Sequence, residues 1–277
     1  MAINLARKYS DKLVEQNYRE SFIQQSRLNN GYDFHGVKSL TVYTPVTVDL
    51  GDYNRTATAN RFGTPTEMQD TIQEMTMSQD KGFSITIDSG NNSDQMLIKE
   101  AGRMMALQTR EKVTPMMDKY TFSKWIEGAG TTKSYTASAL TKATIVGAIS
   151  EAATQMDNDL VPADGRTLYI TASQYNALRL STEFLAVDTL ADKSLSKGMV
   201  GRVFDMDVIK VPDSYLDGAH FLITQKEAVL RPVKLKTARI LKEVAGIDGA
   251  VLEGRYYYDA FVLDAKKKGV YAATVGA

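Results

Sequence analysis

The stretch from residue 37 to residue 90 constrains the fold of this chain more than any other part of its sequence. Apolar and polar residues alternate over 40–48 and again from about 71 to 87, which is typical of strands with one buried face. The polar residues 51–65 between them show no period. We expect the second run to turn at 79–82. Because an isolated hairpin is marginally stable in water, this long two-stranded excursion needs a partner surface.

Residues 1–36 are predicted to form an N-terminal arm. Apolar and aromatic side chains recur at mostly helical spacings over 3–29, and a helix-stop and turn signal, NNG, follows at 29–31. An amphipathic segment of this kind packs against a surface of its own chain or of a neighbouring chain. The aromatic residues that we expect at an assembly interface of this arm are Tyr9, Tyr18 and Phe22.

The longest helical pattern covers residues 94–127, where apolar residues form one broad stripe. Pro115 lies inside this pattern. Proline lacks a backbone donor and its ring clashes with the preceding turn, so the helix is expected to kink or break near 111–114. Glycine, serine and threonine residues at 128–138 predict a stop followed by a linker.

Shorter units occupy the rest of the chain and predict an α+β fold. Helical patterns cover 141–156 and 173–180. Alternating patterns predict strands at 167–171, 206–211, 220–224, 238–244, 251–263 and 270–275.

The composition excludes several kinds of chemistry. The chain has no cysteine, two histidines, and 33 basic residues against 33 acidic ones, so it has no thiolate site and no bulk charge to hold nucleic acid. Phosphate-binding glycine loops and serine nucleophile elbows are missing. No apolar run approaches the roughly 18 residues of a membrane span. We therefore predict a protein that is not an enzyme, with no catalytic residue, cofactor or metal, and no membrane partner.

Three groups of polar residues have structural interpretations. The acids within 157–164 lack the glycine and the closing glutamate of a calcium loop. Asp205 and Asp207 are predicted on one face of a strand, because side chains alternate with a period of two. Residues 255–259, RYYYD, mix charge and aromatics as single-strand binders do, but a sheet covered on both faces explains them better. Neither histidine accompanies a serine motif.

The order of these parts resembles the tailed-bacteriophage major capsid proteins with the Hong Kong 97-type fold. Local motifs are similar to the branch found in phages and prophages of Gram-positive bacteria. These motifs are YDFHGVK at 32–38, DYNRT at 52–56, RFGTP at 61–65, QEMTMSQD at 73–80 and KVTPMMDKY at 112–120. Met116 departs from the pattern, which has an acidic residue after the proline. The resemblance covers nearly the whole chain.

The resemblance implies a division of the chain into five parts. They are an N-terminal arm (1–36), an extended hairpin called the E-loop with peripheral-domain strands (37–90), a spine helix and linker (91–139), an axial α+β domain (140–244) and C-terminal peripheral-domain strands (245–277). The residues implied at the assembly contact of the E-loop tip are Asp52, Tyr53, Arg55, Arg61 and Phe62. Pro115 would mark the kink of the spine helix.

The implied function is that of a major capsid protein. Its pentamers and hexamers would assemble in the host bacterial cytoplasm into an icosahedral virion shell that packages double-stranded DNA, contacted without sequence preference. Its partners would be further copies of itself, a scaffolding protein and a portal protein. No lysine lies between Lys38 and Lys81, so the tip cannot supply the amine for the Lys–Asn crosslink of some relatives. Because the arm begins almost at Met1, we expect a separate scaffolding protein.

Two other functions remain open at this point. An encapsulin-like compartment shell would have the same fold and would enclose an enzyme cargo. A soluble hydrolase or ligand-binding domain would use the acids within 157–164.

Overall fold

The computed structural model describes residues 21–34, 38–94, 100–136, 140–181, 199–242 and 244–276. Its strands are β1 (Ser39–Pro45), β2 (Asp70–Thr76), β3 (Gln79–Asp88), β4 (Thr131–Thr136), β5 (Arg166–Thr171), β6 (Met199–Val203), β7 (Met206–Val211), β8 (Ala219–Gln225), β9 (Val229–Leu230), β10 (Val233–Leu241), β11 (Gly249–Tyr258), β12 (Phe261–Val262) and β13 (Val270–Gly276). Its α-helices are α1 (Ser89–Asp94), α2 (Ala101–Gln108), α3 (Thr114–Glu127), α4 (Ile145–Asn158) and α5 (Ala172–Arg179). This mixture of sheets with a few helices confirms the predicted α+β fold.

The largest sheet has six strands in the order β4-β13-β8-β5-β7-β6. It is mixed, since β13 runs parallel to β4 and antiparallel to β8, and β5 runs parallel to β7 and antiparallel to β8. Strands β5 and β8 are buried along their whole length. Burial on both faces requires apolar side chains on both faces, which LYI at 168–170 and FLI at 221–223 supply in the middle of the two strands.

Two layers of chain cover this sheet. Leu168 of β5 and Phe221 of β8 pack under α4 and α5 on one face. The neighbouring Tyr169 points to the other face, where it joins a second apolar cluster. This cluster includes Trp125 of α3 and apolar residues of the N-terminal segment 21–28. Successive side chains of a strand point to opposite faces, so one strand contributes to both cores.

A second sheet is antiparallel and has the strand order β10-β11-β3. On one face, Tyr256 and Tyr258 pack against Val113, close to the start of α3. Tyr257 points to the other face and packs against the cluster that includes Met77. The three consecutive tyrosines therefore serve both faces of a covered sheet, as the sequence interpretation proposed.

A π-helical turn, Thr109–Val113, joins α2 to α3 immediately before Pro115. Thr114 N–H donates to the carbonyl of Thr109, five residues earlier, instead of the usual four. The wider turn leaves room for the proline ring and does not need the backbone N–H that proline lacks. The helical segment therefore continues through this point without a break. Residues 95–99, inside the predicted helix, lie outside the described part of the chain.

Two loop predictions are wrong. Residues 79–82 do not turn, because they form the first part of β3 and pair with the C-terminal end of β11. Only Met77 and Ser78 separate β2 from β3. Residues 131–136, predicted within a linker, form β4 at the edge of the six-stranded sheet, where a polar sequence is tolerated because alternate side chains face solvent.

One further expectation is wrong. Asp205 is not on a strand face, because Phe204 and Asp205 form the two-residue connection between β6 and β7, with φ of 46° and 61°. Both values lie in the left-handed region that hairpin turns of this length require.

The strands after residue 245 divide between two sheets. Strand β11 belongs to the three-stranded sheet, whereas β13 lies inside the six-stranded one. Within the described residues, no helix is long and apolar enough to cross a membrane.

Candidate assembly interface

A β-hairpin extends from the three-stranded sheet, because its second strand leads directly into β3. Its strands β1 and β2 pair from Ser39 opposite Thr76 to Pro45 opposite Asp70. The Val46 N–H then donates to the carbonyl of Gln69 at 2.7 Å and closes the ladder. Between residues 45 and 72, every residue except Ala57 is exposed. This part of the chain therefore buries very little surface within its own subunit.

The base of the hairpin is anchored through its inner face. Leu40 and Met75 face each other across the ladder and join an apolar cluster below it. Gln73 Nε2 donates to the carbonyl of Val262 at 2.9 Å, and Gln73 Oε1 accepts from the Asp264 N–H at 3.0 Å. Because strand side chains alternate, every second residue points away from this anchor.

The outer face of the hairpin carries large apolar side chains that are exposed. Tyr43 and Ile72 are cross-strand partners, and each is 64% exposed. The connecting loop adds further large exposed side chains, which are Val46, Val48, Leu50, Phe62 and Met68. Single exposed apolar residues are ordinary on a protein surface, but a concentration of them on one extension marks an interaction surface.

The tip of the hairpin has a defined shape although it is exposed. The Asn54 N–H donates to the carbonyl of Arg61 at 3.0 Å, and Asn54 Oδ1 accepts from the Thr56 N–H at 3.0 Å. Arg61 Nε donates to the carbonyl of Ala57 at 2.7 Å. These bonds close residues 54–61 into a local turn. A preformed tip loses less conformational entropy on binding than a flexible one.

An aromatic pair covers one side of this turn. The rings of Tyr53 and Phe62 meet edge to face with centroids 4.8 Å apart, and Phe62 is 90% exposed. Asp52 and Arg55 are exposed beside the pair. The structure thus gathers the five residues assigned to the tip within one small region, with the aromatic pair as its largest apolar feature.

A buried carboxylate holds the hairpin to the helix beneath it. Asp259 Oδ2 accepts from the Ser78 N–H at 2.6 Å, at the corner between β2 and β3. Asp259 Oδ1 accepts from the Tyr120 hydroxyl of α3 and from the Ala260 N–H, each at 2.8 Å. Burial is the main cause that raises the pKa of Tyr120, and the nearby Asp259 charge adds to it. Sequence reasoning missed this contact, because its members lie far apart along the chain.

The N-terminal segment is fixed to the subunit by a second buried carboxylate. Asp118 of α3 accepts from the Ser21 hydroxyl at 2.7 Å and from the Phe22 N–H at 2.9 Å. Arg231 Nη2 lies 2.8 Å from Asp118 Oδ1. The Phe22 ring contacts Tyr215 edge to face at 5.2 Å. This part of the arm therefore packs on its own chain.

Arg27 supplies another anchor of the same segment. Its Nη1 lies 2.8 Å from Asp207 Oδ2 and 3.2 Å from Thr167 Oγ1. Asp207 is therefore occupied by a structural ion pair. The other two aromatic residues predicted at the arm contact, Tyr9 and Tyr18, lie outside the described residues.

The remaining polar candidates form structural pairs. Asp157 pairs with Arg166 at 2.7 Å, and Asp159 pairs with Lys268 at 2.8 Å. The hydrogen bond from Lys268 is the main cause that lowers the pKa of Asp159. His220 is buried beside Gln174, whereas His35 lies outside the described residues. Among the described residues, no group of three or more histidine or acidic side chains is placed to hold a metal ion.

Comparison with solved structures defines the fold class. A structure from Mycobacterium phage Che8 matches with a TM-score of 0.77 at 16% identity, over 97% of this chain and 96% of that one. The capsid structure of Cyanophage P-SCSP1u matches with a TM-score of 0.77 at 13% identity, over 98% and 93%. The asymmetric unit of the bacteriophage PhiM1 mature capsid matches with 0.71 at 10% identity, over 99% and 92%.

The chain therefore has the fold of phage capsid subunits. The matches span almost the whole length of both partners, so the hairpin, the helix and the sheets all belong to the shared architecture. No protein-family model matches the sequence, and no curated protein is significantly similar to it.

Proposed function

We propose that this chain is the major capsid protein of a tailed bacteriophage of the Hong Kong 97 type, from the branch of phages and prophages of Gram-positive bacteria. It assembles as pentamers and hexamers into an icosahedral shell around double-stranded DNA. The observation that carries the proposal is the shared fold over nearly the full chain with structures of phage capsids.

The hairpin supports the same function on physical grounds. Its outer face and tip expose a concentration of large apolar side chains that its own subunit does not cover. Burying such surface against a neighbouring copy gains roughly 25 cal/mol per Å². A contact that joins one surface of a subunit to a different surface of the next copy can repeat until a ring closes. Many modest contacts per subunit then add up to a stable shell.

The proposed partners follow from this assembly. They are further copies of the chain, a scaffolding protein, a portal protein and the packaged DNA. Because basic and acidic residues are equal in number, the shell contacts this DNA without sequence preference. Assembly takes place in the host bacterial cytoplasm. The absence of lysine between residues 38 and 81 supports a shell without a crosslink from the hairpin, so boiled subunits should run as monomers in detergent gels.

Electron microscopy with light scattering tests the proposal on the full chain, produced alone and together with the candidate scaffolding protein. Closed shells or rings of five and six subunits are expected. A strict monomer in both preparations would contradict the proposal. Shells that contain a protein cargo and no nucleic acid in infected cells would indicate an encapsulin-like compartment instead.

Substitution of the exposed tip tests whether the hairpin forms the contact. Phe62→Ser should leave the unfolding of the subunit unchanged, because the ring is 90% exposed, but should weaken assembly. Leu180→Ser removes another exposed apolar side chain outside the hairpin and is the matched control. Equal assembly of the two variants and the unsubstituted protein would contradict a role for the tip.

A further inference from the structure

The two faces of the three-stranded sheet differ in charge. On the face away from the helices, Asp80 pairs with Arg255 at 2.5 Å and Glu253 pairs with Arg239 at 2.6 Å. The described strand positions on the other face, which α2 and α3 cover, include two lysines and no acidic residue. The sheet therefore does not compensate the positive charge on its helix-covered face.

The two lysines of this face lie on either side of the helix. Lys236 of β10 and Lys81 of β3 are the direct neighbours of Tyr256 in one row of the sheet. Directly opposed side chains point to the same face, and on this face Tyr256 packs against Val113 of the π-helical turn. Both lysines are exposed. Their strands are two strand spacings apart, which is roughly 10 Å.

The helix between them carries two more exposed lysines. Lys112 and Lys119 are seven residues apart, so they lie on the same side of the helix, separated by roughly 10 Å along its axis. Lys119 Nζ lies 5.3 Å from the centre of the Tyr215 ring. We call these four residues, Lys81, Lys112, Lys119 and Lys236, the basic band. Within the described part of the chain, none of the four forms an ion pair.

The acidic residues of the helices neutralise little of this charge. Residues 101–127 contain three acids. Asp118 is buried against Arg231, and Glu127 pairs with Lys124 at 2.7 Å. Glu111 is the third acid, against four lysines of the band. The band is therefore a local excess of positive charge on a chain whose total charge is zero.

We propose that the basic band contacts the phosphate backbone of the packaged double-stranded DNA. The inference rests on the proposed function and names the surface that touches the DNA. Lysine is a compact charge on a flexible stem, and contacts to phosphate carry no sequence information. A band of unpaired lysines therefore holds duplex DNA of any sequence, although the chain as a whole has no excess of basic residues.

The salt dependence of DNA binding tests the band on the unassembled subunit. Fluorescence anisotropy follows the binding of a labelled duplex of about 20 base pairs between about 50 and 200 mM salt. If each of the four lysines neutralises one phosphate, the logarithm of the binding constant falls with the logarithm of the salt concentration with a slope of about −3.6. Binding then weakens roughly 150-fold over this range.

The variant Lys112→Gln/Lys119→Gln removes half of the band. Its slope should be about −1.8, so its binding weakens only roughly 12-fold over the same range. At low salt it should bind two unrelated DNA sequences more weakly by the same factor, because phosphate contacts are lost. Far-ultraviolet circular dichroism checks that the variant is folded.

The matched control is Lys142→Gln/Lys210→Gln. Both lysines are exposed and lie outside the band, and Lys210 Nζ is 5.6 Å from the Tyr175 ring, as Lys119 is close to Tyr215. The control removes the same total charge and should keep the slope of the unsubstituted protein. An equal change of slope in both double variants would mean that net charge and not the band sets the binding, and would overturn the inference.

The remaining outcomes separate this inference from the proposed function. If the chain assembles into shells but the duplex does not bind, or binds with a slope that Lys112→Gln/Lys119→Gln leaves unchanged, the inference alone is wrong. If polyglutamate binds to the band and duplex DNA does not, the band accepts an acidic protein segment, which also overturns it. If the slopes are as expected but the chain never assembles, the proposed function fails and the band still binds nucleic acid.

Discussion

Removal of the Asp118 carboxylate should destabilise the subunit strongly. Its side chain is 1% exposed and is surrounded by Arg231, the Ser21 hydroxyl and the Phe22 N–H, all within 2.9 Å. Asp118→Ala leaves the Arg231 charge buried without a counter-ion, since the Arg231 side chain is only 10% exposed. Breaking a buried pair in this way costs about 3–5 kcal/mol.

Thermal and urea unfolding of the unassembled subunit measure this cost. For a chain of this size, 1 kcal/mol corresponds to roughly 2–4 °C, so Tm should fall by about 10 °C. Lys124→Ala is the matched control, because it breaks the exposed Lys124–Glu127 pair, 2.7 Å apart in the native protein. An exposed pair contributes about 0–1 kcal/mol.

A double variant distinguishes the buried charge from general damage to the site. Asp118→Ala/Arg231→Met removes both charges and should regain part of the lost stability, because no unpaired charge stays buried. Recovery will be incomplete, since Ser21 and Phe22 still lack their acceptor. The reasoning is refuted if Asp118→Ala costs no more than Lys124→Ala, or if the double variant loses the sum of its two single changes.

Two other predictions concern the unfolding of the same subunit. Gly254→Ala places a Cβ 2.4 Å from the Phe83 ring and should lower the free energy of unfolding in urea by about 1–3 kcal/mol. Gly147→Ala, inside α4, meets nothing within 4 Å and should raise it by about 0.5–1 kcal/mol. The reverse order of stabilities would contradict the packing described. Burial is the main cause that raises the pKa of several tyrosines in the folded protein above the ordinary 10.0. The same tyrosines therefore lose their protons first in the unfolded state, and the free energy of unfolding should fall as pH rises above about 10. Ultraviolet titration should then show one group of tyrosines that ionises normally and another that ionises only with unfolding; a single normal group would contradict the burial of Tyr169, Tyr258 and Tyr271.

Local pattern predicted the elements whose stabilising contacts are themselves local or strongly periodic. The helix expected at 141–156 is α4, and the strand expected at 206–211 is β7, because their apolar stripes follow the period of one secondary structure. The hairpin was also predictable, since its alternating strands bracket a polar stretch without period.

Long-range pairing explains what the pattern could not predict. Residues 79–82 include turn-forming residues, yet their pairing with residues 255–258 of β11, about 175 positions later, holds them extended. Strand β4 has a polar sequence because it is an edge strand. Asp118 and Asp259 look like ordinary acids in the sequence, and only the folded chain brings Ser21 and Ser78 to them.

The position of β13 has a consequence for how the protein is made. This strand is inserted between β4 and β8, and its side chains contribute to the cores on both faces of the six-stranded sheet. A nascent chain cannot complete either core until residues 270–276 leave the ribosome, whereas the hairpin emerges earlier. Synthesis proceeds at roughly 5–20 residues per second, so the exposed apolar side chains of the hairpin are present before β13 is available to the six-stranded sheet. Chains interrupted before β13 therefore lack a complete core and are exposed to proteolysis.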